Sequence, residues 1–239
     1  MLSRCIVPPR PIRPPSKSKT ISGVNPPPSS YSTTFAAAQD PIVEDGYWIN
    51  GGNTGVDWEN VKTVSGRSCA TAFATGVDDS VCIRAGGINT TKHFVEGTVG
   101  VTGGYNPTNG HEVEQVGMAK ITANSCSLYE VLFSLSGSFQ IVRWNGPYND
   151  LYFGLSVTNH NGGPAQPSNG MVCRSEFEYT GGVVNISVYQ NGTLVATTTD
   201  ASPPTLLQSG QPGISHFVQP GTGANLTSMG WEDFSCGTF

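Results

Sequence analysis

The stretch "ISVYQNGTLVATTTD", residues 186–200, has the pattern of two short β-strands that fold back on each other. The residues on either side of Asn191 and Gly192 are rich in β-branched and apolar types, and both central residues tolerate a positive φ. Asn-Gly between two such runs is typical of a type I′ turn in a two-residue hairpin loop. The stretch therefore predicts an antiparallel hairpin.

The rest of the chain has the same character. Of its 239 residues only 12% are charged, whereas glycine occurs 30 times and proline 17 times, a composition typical of antiparallel sheets with frequent turns. From Tyr31 onward, β-rich runs recur between Gly or Asp turns, and we expect about a dozen strands and no helix. Residues 127–146 carry apolar side chains on both strand faces, which predicts central strands under a second layer. The predicted fold is an all-β, two-sheet antiparallel sandwich.

Residues 1–30 differ from this body. They contain eight prolines, five Arg or Lys residues and no acid, whereas the remaining 209 residues contain 7 basic and 17 acidic side chains. Proline fixes φ and removes a hydrogen-bond donor, so this segment favours extended polyproline II over helix or central strand. We therefore predict two regions, a basic, extended, Pro-rich arm (1–30) and a β-sandwich (31–239).

Charge and hydropathy exclude two classes of partner. An acidic body argues against nucleic acid, because phosphate binding requires clustered Lys and Arg. No apolar run approaches the ~20 residues that a membrane span requires. The N-terminus has neither the apolar segment nor the cleavage site of a secretion signal, so we expect the chain to mature in the cytosol. No motif predicts a cofactor.

The cysteines and acids predict no metal site. The cysteines, at positions 5, 69, 82, 126, 173 and 236, include no C-x-x-C pair, and the four histidines lack ligand spacing. We expect reduced, buried thiols, with a Cys69–Cys82 disulfide as the alternative. Asp78 and Asp79 could hold calcium, but two adjacent acids alone rarely form a site.

The order of motifs after residue 184 is specific. The hairpin is followed by "GQPGI" (residues 210–214) and by "GWEDF" (residues 230–234) as a closing strand. This order resembles the concanavalin A-like (laminin G-like) jelly-roll family of lectins, glucanases and bacterial glycan-binding modules. "YEVLFSLSGSFQIVRWNGP" is similar to the middle hairpin of bacterial and phage members. The resemblance covers residues 31–239 and implies that Gly213 and Gly230 relieve crowding. If the closing strand is regular, Trp231 and Phe234 point to opposite faces.

The glucanase branch of this family carries E-x-D-x-E on one strand, and the nearest match here is "EVEQV", residues 112–116. Strand alternation places Glu112 and Glu114 on one face, about 7 Å apart. Glu114 stands where the family has Asp, and Val116 stands where it has the final acid. The resemblance thus implies, as an alternative, an altered hydrolase site at Glu112 and Glu114. The competing interpretation is a solvent-facing pair on a half-exposed strand.

The segment "RWNGPYNDLYF" is the predicted carbohydrate-binding surface. Aromatic rings stack on the apolar faces of sugars, and amides or carboxylates bond the hydroxyls. The candidate residues are Trp144, Asn145, Tyr148, Asp150 and Tyr152. The alternative is that the aromatic rings fill the edge of the core. Tyr105 is a second, weaker candidate.

The leading functional hypothesis is a non-enzymatic structural protein of a virus particle, a capsid decoration or tail-fibre protein of a bacteriophage. The arm would dock on other virion proteins through Arg4, Pro8, Pro9, Arg10, Arg13, Pro14 and Pro15. The sandwich would assemble in the host cytoplasm, be displayed in many copies on the virion surface and bind host polysaccharide with avidity. The alternative is a bacterial extracellular glycan-binding module, glycoside hydrolase or lyase, with residues 1–30 as a linker.

Overall fold

The structure, a computed structural model, describes residues 29–55, 58–76, 78–102, 110–147, 150–159, 164–221 and 225–239. These ranges contain short 3-10 helices at Gly52–Thr54 and Thr205–Leu207, and no α-helix. The strands are β1 (Ser30–Thr33), β2 (Trp48–Asn50), β3 (Val61–Thr63), β4 (Ser68–Ala70), β5 (Ser80–Arg84), β6 (Lys92–Val101), β7 (His111–Thr122), β8 (Ser125–Ser134), β9 (Ser138–Gly146), β10 (Leu151–Asn159), β11 (Val172–Thr180), β12 (Val183–Gln190), β13 (Thr193–Asp200), β14 (Gln211–Val218), β15 (Met229–Trp231) and β16 (Phe234–Gly237).

The strands form two sheets. One runs β13-β12-β11-β6-β15-β4-β3, with β16 also paired to β6 and β1 paired to β16; the other runs β10-β9-β8-β7-β14-β5-β2. Every pairing between these strands is antiparallel. The predicted all-β sandwich is confirmed. Residues 1–28 lie outside the described part, and β1 begins at Ser30.

The main core lies between the sheets. Phe177 and Val184 of the nine-stranded sheet belong to the same buried cluster as Val113 and Phe133 of the seven-stranded sheet. A second buried cluster lies on the opposite side of the seven-stranded sheet, which we call the outer face. It consists of Trp58, Val81, Ile83, Val116, Ala119, Cys126, Leu128, Val142 and Trp144. Strand alternation sends neighbouring residues to these two clusters in turn.

The predicted hairpin is confirmed. Strands β12 and β13 flank Asn191 and Gly192, whose φ values are +48° and +77°. The predicted crowding at two glycines is confirmed as well. An added Cβ would lie 2.4 Å from the Cys82 carbonyl oxygen at Gly213 and 1.8 Å from the Ser68 carbonyl oxygen at Gly230.

The closing segment is not one regular strand. It divides into β15 and β16, and the rings of Trp231 and Phe234 are both buried in the main core. The expectation that these rings face opposite sides fails because the break at residues 232–233 resets the alternation.

The thiols of Cys69, Cys82, Cys126, Cys173 and Cys236 are buried and free, so the alternative Cys69–Cys82 disulfide is not formed. Within the part of the chain that the structure describes, no helix has the length and hydropathy of a membrane span.

Candidate functional site

Three carboxylates meet on the outer face of the seven-stranded sheet. Asp79, Glu114 and Glu130 each offer one oxygen atom, and these atoms lie within 4.8 Å of one another. The three residues are 4%, 0% and 2% exposed. We call this group the carboxylate cluster.

Neighbouring strands bring the cluster together. On β7, Glu114 lies opposite Leu132 of β8 on one side and opposite Ser215 of β14 on the other. Glu130 lies opposite Val116, two residues further along β7, so it shares the face of Glu114. Asp79 immediately precedes β5, and its carbonyl oxygen accepts a 3.0 Å hydrogen bond from the Glu59 N–H.

Burial and mutual repulsion make these acids weak. Burial raises the pKa of Glu114 well above its ordinary value, and the charges of Asp79 and Glu130 raise it further, while the Ser215 hydroxyl lowers it in part. Burial raises the pKa of Glu130 to about 7, against a hydrogen bond from Trp144 that lowers it. Glu112 is half-buried beside the cluster, and burial together with the charge of Glu130 raises its pKa to about 8.

The cluster has few stabilising contacts among the described residues. Both carboxylate oxygens of Glu114 are buried without a hydrogen bond there. Glu130 Oε2 accepts a 2.9 Å hydrogen bond from Trp144 Nε1. None of the ion pairs that the described residues form includes a member of the cluster.

Trp144 belongs to this face and not to an exposed binding surface. It is 3% exposed, and its ring packs edge-on against Trp58 with 4.7 Å between ring centroids. The prediction that Trp144 stacks on a sugar is therefore corrected, because a buried ring offers no free face. The alternative, an aromatic ring that fills a core edge, describes this residue.

The two acids of "EVEQV" share a face as predicted. Glu112 lies opposite Ser134 and Glu114 opposite Leu132, so both point to the outer face. The interpretation as a solvent-facing pair is wrong for Glu114, which is fully buried. Glu112, the more accessible member, is the one that a substrate could reach first.

A second polar group lies at the β9–β10 end of the sandwich. Asn145 and Asp150 are joined by a backbone hydrogen bond of 2.9 Å, and the Asn145 side-chain amide donates to Asp150 Oδ1 at 3.3 Å. Tyr152 is 45% exposed, and its ring lies under the Arg143 guanidinium, with 4.5 Å from that carbon to the ring centroid. We call Arg143, Asn145, Asp150 and Tyr152 the rim patch.

Arg143 is held in place by the other sheet. Its Nη1 donates to Oδ2 of the buried Asp200 on β13 at 2.6 Å, and its Nε donates to Asn145 Oδ1 at 2.9 Å. The Tyr129 hydroxyl donates to the same Asp200 oxygen at 2.8 Å. Burial acts to raise the pKa of Asp200, but the hydrogen bonds from Arg143, the Ser202 N–H and Tyr129 outweigh it and lower the pKa. Asp200 is therefore ionised at neutral pH, and the rim patch rests on a rigid support.

Several predicted site residues lie outside the described residues. These are Tyr148 and Tyr105 of the predicted binding loops and Arg4, Pro8, Pro9, Arg10, Arg13, Pro14 and Pro15 of the arm.

Solved structures share this architecture. The carbohydrate recognition domain of Emp46p superposes with a TM-score of 0.54 and 12% identity, over 86% of this chain and 95% of that one. The fold is a concanavalin A-like jelly roll. Two further structures align at lower scores: an endo-1,3-beta-glucanase from Streptomyces sioyaensis (TM-score 0.48, 12% identity, 91% and 100% of the two chains) and the CBM2 module of the Lactobacillus casei BL23 phage J-1 evolved Dit (0.47, 11%, 87% and 95%).

No protein-family model matches the sequence, and no curated protein matches it significantly. At 12% identity the likeness to the Emp46p domain concerns the fold alone, so a site must be argued from this chain's own residues.

Sequence reasoning missed Arg143, Asp200, Glu130 and the role of Asp79. Arg143 stood inside the quoted binding segment, so its charge among aromatic residues was an available signal. Glu130 alternates with the core residues Tyr129 and Val131, and an acid inside an apolar strand was a signal as well. Nothing local to Asp79 or Asp200 shows what they contact.

Proposed function

We propose that this protein is a non-enzymatic carbohydrate-binding component of a bacteriophage particle, with the jelly roll displayed and residues 1–30 as its anchor. The observation that carries the sugar-binding part is the rim patch. The exposed ring of Tyr152 lies under the Arg143 guanidinium, next to an amide and a carboxylate. Fold likeness to the Emp46p carbohydrate recognition domain supports the proposal only at the level of architecture.

The chemistry of the rim patch suits a sugar with free hydroxyls. The ring of Tyr152 offers a flat apolar surface, while Asn145 and Asp150 offer donors and acceptors to hydroxyl groups. The body carries 7 basic and 17 acidic side chains, so it repels strongly anionic polymers. We therefore propose neutral or amino-sugar polysaccharides as the ligand class.

The matched pair Tyr152 and Tyr47 tests this site. Both rings are exposed, at 45% and 54%, and both lie under a guanidinium, that of Arg143 or Arg84. In binding assays on immobilised polysaccharides, Tyr152→Ala should lose about 2 kcal/mol or more, the order of truncating a central aromatic residue of a binding site. Tyr47→Ala should bind as wild type. If Tyr152→Ala bound the polysaccharide as tightly as Tyr47→Ala, the rim patch would not be the binding site.

The anchoring role rests on charge and stiffness. Residues 1–30 carry five basic and no acidic side chains, and their eight prolines reduce the entropy lost when an extended segment is ordered on a partner. Deletion of residues 1–28, which spares β1 and the Ser29 carbonyl that accepts from the Thr238 N–H, should leave a folded sandwich that no longer joins the particle. Particle association by the truncated protein would contradict this part of the proposal.

A glycoside hydrolase is the second candidate, because one observation favours it. The oxygens of the carboxylate cluster lie within 4.8 Å of one another, and the half-buried Glu112 stands beside them. Retaining glycosidases place two carboxyl groups about 5–5.5 Å apart. The test is release of reducing ends from a polysaccharide panel. Turnover that Glu112→Gln abolishes would replace the non-enzymatic proposal.

A further inference from the structure

We propose that Asp79, Glu114 and Glu130 bind one divalent cation of the calcium type on the outer face of the seven-stranded sheet. This site is separate from the rim patch and does not depend on the proposed function. Sequence analysis considered calcium only at Asp78 and Asp79, because Glu114 and Glu130 are 35 and 51 residues away from Asp79 along the chain.

The spacing of the cluster's carboxylate oxygens is compatible with one calcium ion. Calcium–oxygen distances are about 2.3–2.6 Å, so two oxygens on opposite sides of one calcium ion are at most about 5 Å apart. The three carboxylate oxygens lie within 4.8 Å of one another and so fit around a single calcium ion.

A buried hydroxyl beside the cluster points to a ligand as well. Ser215 is fully buried and lies directly opposite Glu114 on the neighbouring strand, close enough for its hydroxyl to lower the pKa of Glu114. Even so, its Oγ makes no hydrogen bond of ordinary distance and angle with the described residues. Both carboxylate oxygens of Glu114 are also buried without a hydrogen bond to the described residues. Buried polar atoms are rarely left without partners, and oxygen atoms that converge without donors are what a hard cation requires.

Charge balance leads to the same conclusion. Several carboxylates that are removed from water and held together repel one another strongly unless a cation or protons neutralise them. No arginine or lysine forms an ion pair with the cluster among the described residues. A bound divalent cation would tie β7 and β8 to the residue that precedes β5, and so fix the centre of this sheet.

Terbium luminescence tests the proposal directly, since Tb³⁺ occupies calcium sites and is sensitised by nearby indoles. Trp144 donates to Glu130 at 2.9 Å and packs against Trp58, so both indoles lie next to the site. We expect tryptophan-sensitised terbium emission from the full chain, displaced by calcium. We also expect the melting temperature to rise with the logarithm of calcium concentration and to return on addition of a chelator.

Two variants and a control complete the experiment. Glu114→Gln and Asp79→Asn should lose the emission and the calcium-dependent shift, while Glu178→Gln, an exposed acid paired with Lys92, should keep both. Glu114→Gln removes a repelled charge, so it should fold and melt above wild type in chelator. No sensitised emission, no calcium shift in wild type, or an unchanged response in both variants would overturn the cation site.

Discussion

Arg143 makes two contacts with different roles. It closes the contact between the sheets through Asp200, and it supports the ring of Tyr152. The ion pair has side-chain exposures of only 14% and 5%, so its charges are shielded from water. The buried pair thus connects the packing of the fold to the geometry of the rim patch.

Arg143→Met should destabilise the fold by about 3–5 kcal/mol, because it leaves the Asp200 carboxylate buried without its partner. Lys92→Met is the control, since the Lys92–Glu178 pair has exposures of 39% and 37% and should cost at most about 1 kcal/mol. Urea denaturation of both variants measures the difference. Similar losses in the two would show that the Arg143–Asp200 pair is not a structural contact.

The residues of the binding segment were predicted in part. Their types were informative, but the side to which each one points depends on register across the β9–β10 turn. Trp144 pairs with Leu151, and Arg143 pairs with Tyr152, so Trp144 and Tyr152 point to opposite sides of the sheet. Sequence alternation is reliable within one strand and is lost across a turn of unknown geometry. This explains why the prediction grouped two aromatic residues that the fold separates.

At the scale of elements, close strand contacts depend on individual glycines. Gly230 lies in β15 against β4, where an added Cβ would come 1.8 Å from the Ser68 carbonyl oxygen. Backbone atoms in a sheet cannot move away as a flexible side chain can, so the two strands would have to separate.

Gly230→Ala should therefore destabilise the sandwich by about 3 kcal/mol or more, the upper range for overpacking. Gly110→Ala is the matched control, because the nearest atom to its Cβ would be the flexible Gln219 Oε1 at 3.3 Å. Thermal melts of both variants give the comparison. A Gly230→Ala protein as stable as Gly110→Ala would contradict the pairing of β15 with β4.

The elements that the sequence predicted well are those with local signals. The hairpin at Asn191 and Gly192 and the alternation of β7 and β8 depend on neighbours in sequence. The carboxylate cluster depends on β5, β7 and β8 lying in one sheet, and the break between β15 and β16 depends on packing against β6. These pairings are long-range, and no local pattern specifies them.

At the scale of the whole molecule, two groups of buried side chains give opposite pH dependences. Burial raises the pKa of Glu130 to about 7 and of Glu112 to about 8 from 4.5. Between pH 4.5 and 8 the folded state therefore binds more protons than the unfolded state, and stability falls as pH rises through this range. Burial lowers the pKa of His93 to about 4 and of His216 to about 3 from 6.5, so the unfolded state binds more protons below pH 6.5, and stability falls towards acid.

In the presence of a chelator, stability should therefore be greatest between pH 4.5 and 6.5, the ordinary pKa values of glutamate and histidine. Urea denaturation across a pH series measures this profile. Glu130→Gln should flatten the alkaline side and leave the acidic side unchanged, because the histidines remain. A wild-type protein that gains stability from pH 6.5 to 8 in chelator would contradict the buried carboxylates.

The division of charge between the two predicted regions is a property of the whole chain. Residues 1–30 carry no acid, and the remainder carries all 17. The proposed anchoring role depends on this division, because a basic segment is attracted to an acidic partner surface and the acidic body is not.

The most direct test of the account is to find where a bound sugar contacts the protein. Amide chemical-shift mapping of residues 29–239, with an oligosaccharide selected from the polysaccharide panel, reports the site residue by residue. We predict shifts that centre on Asn145, Asp150 and Tyr152 and that disappear in Tyr152→Ala. Shifts that centre instead on Glu112 and its neighbours, with the rim patch unaffected, would contradict the proposed binding site.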